Sequence, residues 1–304
     1  MNETPAATAT DGIDVPELQR SLRQPRALFS WAMSVLTGLA TVAALFPLFS
    51  VLYLLVVRGG KQLSLSVFRE LPPAAMMPGG GFGNAIIGTM VILFIATAIS
   101  VPLGVLAGVF ISEFGPESRT AAAVRFAAKL LTGLPSILAG VFAYAAVVVA
   151  TGTFSAPAGG IALALLMLPT VLLTSEEAIH RVPARMREAA IGMGATRTQV
   201  ALRIVLPTAV PGIVTGIMLA VARGAGETAP LLFTSLFSDF WMRGMSPADL
   251  MKPTASLAVL IYNFSGSPFS NQVELAWAAA LVLVVVVLFV NLAGQALAKR
   301  SGGR

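Results

Sequence analysis

Residues 281–290 read Leu-Val-Leu-Val-Val-Val-Val-Leu-Phe-Val and lie within an uncharged run from Leu275 to Leu297. About 20 consecutive apolar residues, at a rise of about 1.5 Å each, cross the roughly 30 Å hydrocarbon core of a bilayer. A run of this length and composition predicts a transmembrane helix. The end of the chain therefore indicates a membrane protein.

The composition of the whole chain supports this interpretation. Charged residues make up only 11% of the 304 residues and apolar residues 56%, whereas soluble domains carry about 25% charged residues. This excludes a soluble cytosolic enzyme. The lack of cysteine excludes disulfides, thiolate metal ligands and a cysteine nucleophile, and one histidine leaves little for an imidazole metal cluster. We expect no cofactor.

The gaps between charged residues predict the number of membrane crossings. The 46 uncharged residues between Lys129 and Glu176 are too many for one span, and a stretch rich in Gly, Ser, Thr and Pro at 151–160 divides them. The acidic start of the chain, with no apolar core, predicts a disordered tail over 1–26. We predict an all-α polytopic membrane protein with one permease-type domain over 27–298 and a short tail, 299–304. Its six transmembrane helices are expected at about 27–57, 85–111, 130–150, 159–173, 204–238 and 275–297.

The distribution of Lys and Arg predicts the orientation. Six spans place both termini on one side, and if that side is cytoplasmic, 14 of the 20 Lys and Arg residues lie inside and five outside. The positive-inside rule then predicts cytoplasmic termini in the cell (inner) membrane. Topology accounts for the basic excess, so we expect the lipid bilayer and no nucleic acid as a partner.

The predicted loop at 174–203 is the most charged part of the chain. Within it, Pro183 suits the first turn of a helix and Gly194 suits its C-terminal cap. An apolar stripe at i, i+3, i+4 and i+7 along this helix would fit the groove of a partner protein. A helix lying on the membrane surface would explain the periodicity equally well. The stripe consists of Met186, Ala189, Ala190 and Met193.

Span five contains the one basic residue that the spans hold, Arg223, with Glu227 four residues later. A charge in the bilayer costs at least ~2.5–3.5 kcal/mol, and such residues usually face a pathway or a partner. On a helix the two side chains would neutralise each other. One interpretation is an ion pair that fixes helix packing. The other is that Arg223 binds a passing oxyanion while Glu227 competes for it, with Thr228 lining the same path.

Several motifs resemble known transporters. Glu188-Ala-Ala, Gly194 and Leu206-Pro207 resemble the EAA loop of ABC-importer permeases. The stretch Arg223-Gly-Ala-Gly-Glu-Thr-Ala-Pro-Leu-Leu232 resembles the phosphate-importer permeases of the Pst system, in their A-type subunit. The resemblance extends over nearly the whole chain after the N-terminal tail.

The resemblance implies the type I ABC-importer permease fold and inorganic phosphate as the substrate. It implies a homologous C-type permease, two copies of an ATPase subunit and an extracytoplasmic phosphate-binding protein as partners. The chain contains no phosphate-binding loop of its own, so it is expected not to be an enzyme, and ATP hydrolysis belongs to the ATPase. In that family the loop docks on the ATPase, which gives coupling roles here to Met186, Glu188, Ala189, Ala190, Met193 and Gly194.

Other functions stay open at this point. A permease for sulfate or molybdate is the nearest alternative, because one Arg–Glu pair does not distinguish tetrahedral anions. An ion-coupled secondary transporter is less favoured, since no inverted repeat is evident. A regulatory role as a membrane scaffold is compatible with transport.

Overall fold

The computed structural model describes residues 25–242, 244 and 246–301. It separates into two compact units at the Tyr53–Leu54 peptide bond. In the first unit, the described residues 25–53 all belong to one helix. Residues 1–24 of the predicted disordered tail lie outside the described residues. The predicted tail boundary at 26 is wrong, because the helix already includes Pro25, and proline is readily accommodated in a first turn.

All regular structure in the described part of the chain is helical. Within these residues, four π-helical turns interrupt or extend the helices, at Leu55–Gly59, Phe110–Phe114, Tyr144–Val148 and Ala201–Val205, and the first helix continues through its turn to Gln62. The helices are α1 (Pro25–Leu54), α2 (Gly83–Val109), α3 (Arg119–Thr132), α4 (Ser136–Thr151), α5 (Ala156–His180), α6 (Ala184–Gly192), α7 (Arg197–Ala225), α8 (Ala229–Thr234), α9 (Pro247–Leu250), α10 (Leu257–Ser265) and α11 (Ser270–Ser301).

Five helices in the described residues are long and apolar enough to cross a membrane, and a sixth crossing exists if α3 and α4 count as one broken span. The predicted all-α polytopic membrane fold is therefore confirmed. The predicted bounds differ from the helix bounds. A span ends where hydrophobicity ends, whereas a helix continues as long as its backbone hydrogen bonds do.

The loop predicted over 174–203 is accordingly too long. Helix α5 runs to His180, seven residues beyond the predicted end of span four at 173, and α7 begins at Arg197 rather than at 204. Only residues 181–196 connect the two helices, and α6 occupies most of this connection.

The third span is not the straight helix predicted over 130–150. Helices α3 and α4 meet at an angle of 105° around Gly133, Leu134 and Pro135. Proline excludes its preceding residue from the α region and lacks the N–H that a continuing helix needs. Helix α3 packs Ala121 and Ala128 in one apolar cluster with Leu172 of α5.

Helix α5 lies between α2 and α7 and contacts both through glycines. Along α2, Gly104 meets Val171 and Gly108 meets Ser175, so equal steps along both helices run in the same direction. A Cβ on Gly104 would lie 2.8 Å from a Val171 methyl group, which shows how close the backbones are. Helices α2 and α5 are therefore parallel.

Helices α5 and α7 are antiparallel, since each step forward on α7 meets an equal or nearly equal step back on α5. A Cβ added to any of three α7 glycines would come within 3.1 Å of an α5 side chain. The contacts are Gly212 with Ala178, Gly216 with Thr174 and Gly224 with Met167.

The parallel direction of α2 and α5 explains the role of the bent segment formed by α3 and α4. Because α2 and α5 are parallel, the chain that joins the end of α2 to the start of α5 must return along the length of both helices. Helices α3 and α4 make this return, which supports counting them as one crossing. Helices α2 and α5 end, and α7 begins, on the side that carries α6, called here the α6 end.

Replacement of Gly140 tests the packing of α4. A Cβ at this position would lie 2.6 Å from the Cα atom of Pro230 in α8, where only backbone movement can relieve the clash. We expect Gly140→Ala to destabilise the fold by about 1–3 kcal/mol, the usual cost of overpacking. The melting temperature of the detergent-solubilised protein measures this.

The matched control is Gly38→Ala, a helix-interior position in α1 where an added Cβ meets no atom within 4 Å. It should leave the melting temperature unchanged or raise it, because alanine favours helix over glycine. Equal melting temperatures for Gly140→Ala and the unmodified chain would contradict the close α4–α8 contact.

Candidate functional site

The helix that carries Arg223 stops two residues later. Helix α7 ends at Ala225, residues 226–228 are not helical, and α8 begins at Ala229. Pro230 explains the break, because in a continuous helix its ring would clash with the carbonyl group of Gly226, four residues earlier. The continuous fifth span predicted over 204–238 is therefore wrong as a single helix.

The break does not turn the chain away from α5. Leu231 of α8 contacts the position of Gly159, and the Ser155 N–H donates a 2.9 Å hydrogen bond to the Thr234 carbonyl oxygen. These contacts continue the antiparallel register of α7 on α5. Helices α7 and α8 are thus two parts of one broken span, and the segment that follows the break packs on protein.

The same register gives the depth of the break. Gly224 contacts Met167, which is the twelfth of the 25 residues of α5. This is roughly 17 Å along the helix from Ala156. The break and Arg223 therefore lie about halfway along α5, and not near the end of the span.

The structure brings Arg223, Glu227 and Thr228 together at this break. Arg223 Nε donates to Glu227 Oε1 at 3.5 Å, and the two side chains are 49% and 16% exposed. The sequence placed both residues on one helix, but Glu227 lies beyond the end of α7 and reaches back to it. Thr228 is part-buried, and its carbonyl oxygen accepts the N–H of Leu231 at 3.1 Å.

Arg223 also belongs to an exposed stripe of α7 that the sequence did not reveal. The stripe differs from the outward side of α11, where the exposed large residues are Val284, Val285, Leu288, Phe289 and Leu292. Hydroxyl groups, a glycine and a guanidinium take the place of branched apolar side chains at all but one position, Leu219. The stripe consists of Thr208, Gly212, Thr215, Leu219 and Arg223.

A groove of about 480 Å³ lies along the part of this stripe nearer the α6 end. Thr208 and Thr215 line one wall, and Thr174, Glu177 and Arg181 of α5 and its C-terminal cap line the other. Single threonines are common in helices, so the sequence provides no reason to group Thr174, Thr208 and Thr215. The tertiary structure brings these three side chains to one groove.

The predicted coupling residues lie on and just after α6. The helix covers Ala184–Gly192, and Gly194 follows it with φ of 87°. Its N–H donates to the Ile191 carbonyl oxygen at 2.9 Å. This positive φ is the conformation that a glycine C-terminal cap provides.

The apolar stripe predicted on α6 is wrong at one of its four residues. Ala190 is 2% exposed and packs with Val182 and Val200 in an apolar cluster, so it attaches α6 to the rest of the unit. The helix needs an inward face, and the small Ala190 side chain lets it approach closely. The remaining predicted residues are exposed: Met186, Glu188, Ala189, Met193 and Gly194.

Two arginines that the sequence assigned only to topology have structural partners. Arg187 of α6 donates to Glu113 Oε1 at 2.8 and 3.1 Å, and to the carbonyl oxygens of Val182 at 2.6 Å and Ile179 at 2.9 Å. It thereby ties α6 to the ends of α2 and α5. The one sequence signal was that Glu113 is the first charge after a long apolar run.

Arg125 of α3 is bound in the same way. Its Nε donates to Glu176 Oε1 at 2.5 Å, and its other nitrogens donate to the carbonyl oxygens of Pro116 at 2.8 Å and Ile111 at 3.1 Å. Last-turn carbonyl groups of a helix have no intrahelical partner, and Arg125 satisfies one such group after α2.

Comparison with known proteins identifies the family. The model of the family described as "Binding-protein-dependent transport system inner membrane component" matches residues 100–302. The phosphate transport system permease protein PstA of Yersinia pestis is 41% identical over 278 residues, which are 90% of this chain and 92% of the relative. A probable PstA of Methanocaldococcus jannaschii is 37% identical over 256 residues, covering 83% of this chain and 88% of the relative.

Solved structures show the same fold. A bacterial alginate ABC transporter, crystallised with an alginate-bound periplasmic protein, superposes with a TM-score of 0.63 at 16% identity, covering 93% of this chain and 99% of the other. The inward-facing MetNI methionine ABC transporter gives 0.55 at 20% identity, covering 73% and 94%. The chain belongs to the family of binding-protein-dependent transport system inner membrane components, and within it groups with the PstA permeases.

Proposed function

We propose that this chain is the membrane-spanning permease subunit of an ATP-driven importer of inorganic phosphate. One observation carries the proposal: Arg223 lies halfway along α5, beside the break of a broken span and on an exposed, largely polar stripe, in a chain whose curated relatives are PstA phosphate permeases. A guanidinium at that position can donate hydrogen bonds to an oxyanion as it crosses the membrane.

Arg223 binds the phosphate ion transiently. A guanidinium offers charge-assisted hydrogen bonds whose geometry matches the oxygens of a tetrahedral oxyanion. Glu227, at 3.5 Å, competes for the same guanidinium, so the ion does not remain bound. Conduction needs binding that is weak enough for release. Thr228, at the same break, lines the path beside the pair.

The polar stripe of α7 faces the translocation path. Side chains that face lipid are apolar, as on the outward side of α11, and ionisable residues within spans usually face a cavity or a partner. The homologous C-type permease supplies the other half of the path. The bilayer surrounds the apolar sides of both subunits.

Helix α6 couples the permease to a separate ATPase dimer. Met186, Glu188, Ala189, Met193 and Gly194 form the docking face, while Ala190 and Arg187 hold the helix on the permease. The α6 end is cytoplasmic, as are both termini, and an extracytoplasmic phosphate-binding protein delivers the ion to the opposite side of the inner membrane. The distribution of Lys and Arg supports this orientation.

Uptake assays with an Arg223 variant test the pathway. We expect Arg223→Gln to reduce phosphate uptake roughly 10- to 100-fold, the factor for losing hydrogen bonds to a charged group. The measurement is ATP-dependent uptake into proteoliposomes that contain the partner subunits, challenged with sulfate and arsenate. Competition by sulfate as strong as by arsenate would identify a different oxyanion importer.

The control for this variant is Arg119→Gln, an exposed arginine at the start of α3 that makes no hydrogen bond within the described residues. It should transport at the unmodified rate. If Arg223→Gln also transports at that rate while the complex assembles normally, Arg223 does not line the path.

Gly194→Asp tests the docking face. A Cβ at Gly194 meets no atom within 4 Å, so the cost to the permease itself is limited to the strain of a side chain at positive φ. In a protein interface an unpaired carboxylate costs several kcal/mol. We expect uptake to fall more than about tenfold, with either loss of the ATPase from the purified complex or hydrolysis without transport.

Gly152→Asp is the matched control, because Gly152 also has a positive φ, of 71°, and open space around its Cβ position, but follows α4. It carries the same strain and the same charge away from α6. Normal uptake and normal ATPase co-purification in Gly194→Asp would refute the docking assignment.

A further inference from the structure

The described residues contain four Arg–Glu ion pairs, which fall into two groups. In the first group, Arg125 and Arg187 use all three guanidinium nitrogens. Each binds a glutamate and two backbone carbonyl oxygens and is about three-quarters buried. Every guanidinium nitrogen in this group is held by protein, and the role of the group is to join helices.

The second group is Arg181 and Arg223. Each makes one hydrogen bond, from Nε to Oε1 of a glutamate four residues away, at 3.2 Å to Glu177 and 3.5 Å to Glu227. Neither terminal nitrogen of either guanidinium bonds to any residue in the described ranges. Arg181 is 77% exposed and Arg223 49%. These two arginines have free donors, restrained by a neighbouring carboxylate.

Both arginines of this second group lie along one path. Arg181 lines the groove between α5 and α7, together with Thr208 and Thr215. The same stripe of α7 leads on to Arg223, roughly 22 Å from Thr208 along the helix. One arginine is thus at the α6 end of the groove and the other is level with the middle of α5.

The wall between them offers no fixed donors. The Thr208 hydroxyl donates to the Ile204 carbonyl oxygen at 2.6 Å, and the Thr215 hydroxyl donates to that of Pro211 at 2.8 Å. Across the groove, Thr174 donates to its own helix in the same way, at 2.7 Å. Between the two arginines an oxyanion therefore meets a largely apolar wall whose threonine hydroxyls are already bonded to their own helices.

We propose that Arg181 is a second oxyanion contact, at the α6 end of the groove, with Glu177 limiting its affinity as Glu227 limits that of Arg223. The proposal rests on the proposed function and extends it to the exit of the path. An anion that leaves Arg223 crosses a wall without donors, and a second cation at the mouth lowers the cost of that passage.

The chain contains no cysteine, so a single introduced thiol reports on the groove. The assembled complex carrying Thr215→Cys is treated with an anionic methanethiosulfonate reagent and, separately, with a cationic one. The rate at which each reagent modifies the introduced thiol at position 215 of this chain is measured. Arg181→Gln should lower the ratio of anionic to cationic reaction rates by about two- to fourfold, as for a unit charge about 10 Å away in water with salt. Inorganic phosphate should slow the anionic reaction, and less so in Arg181→Gln.

Arg185→Gln is the control, because Arg185 is also exposed near the α6 end but does not line the groove. It should leave the ratio unchanged. The second contact is overturned if Arg181→Gln leaves the ratio of anionic to cationic reaction rates unchanged. It is also overturned if Arg181→Gln lowers this ratio no more than Arg185→Gln does. Phosphate protection of equal strength with and without Arg181 overturns it as well.

Phosphate uptake by the same complexes separates this proposal from the proposed function. With the ATPase still bound, Arg181→Gln should reduce uptake several-fold and Arg181→Lys should restore part of it. If the unmodified complex takes up no phosphate but Arg181→Gln still lowers the reagent ratio, the phosphate importer is refuted and the cationic site stands. If uptake is normal in Arg181→Gln and the ratio is unchanged, the importer stands and the site is refuted.

Discussion

The close contact of α5 with α2 on one side and with α7 on the other sets the positions of the other parts of the site. In a bilayer, helices gain little from hydrophobic burial against one another, so small residues that let backbones approach supply much of the packing energy. Glycines at 104 and 108 of α2 and at 212, 216 and 224 of α7 provide this approach. Because each contact fixes one register, the contacts together place the end of α7 at mid-length of α5.

The chain can break between α7 and α8 because protein holds the segment that follows. Pro230 and Gly226 interrupt the helix, and α4, α5 and the Ser155 N–H enclose the segment that follows. A break that faced lipid would leave its polar backbone groups without partners. The same arrangement explains the difference among arginines. Arg125 and Arg187 engage all three guanidinium nitrogens with protein, whereas Arg181 and Arg223 lie along a groove and their terminal nitrogens bond to no described residue.

Much of the fold was predictable from the positions of charged residues, and the failures have physical causes. Hydrophobicity measures where a segment leaves the hydrocarbon, so the span at 159–173 missed the turns of α5 that reach His180. Proline marks a helix disruption but not its angle, so the 105° bend around Pro135 was missed. Periodicity identifies a helical face but not its neighbour, so Ala190 was assigned outward while the structure buries it against Val182.

By itself, the sequence determined the membrane class, the order of the apolar segments, the α6 helix with its glycine cap, and the presence of an Arg–Glu pair within a span. These properties follow from local composition and spacing. Only the tertiary structure decided that this pair lies at a helix break halfway along α5, that threonines from two helices share a groove, and that Arg181 opens onto it. These facts depend on the register between helices, which is set by contacts between residues far apart in the chain.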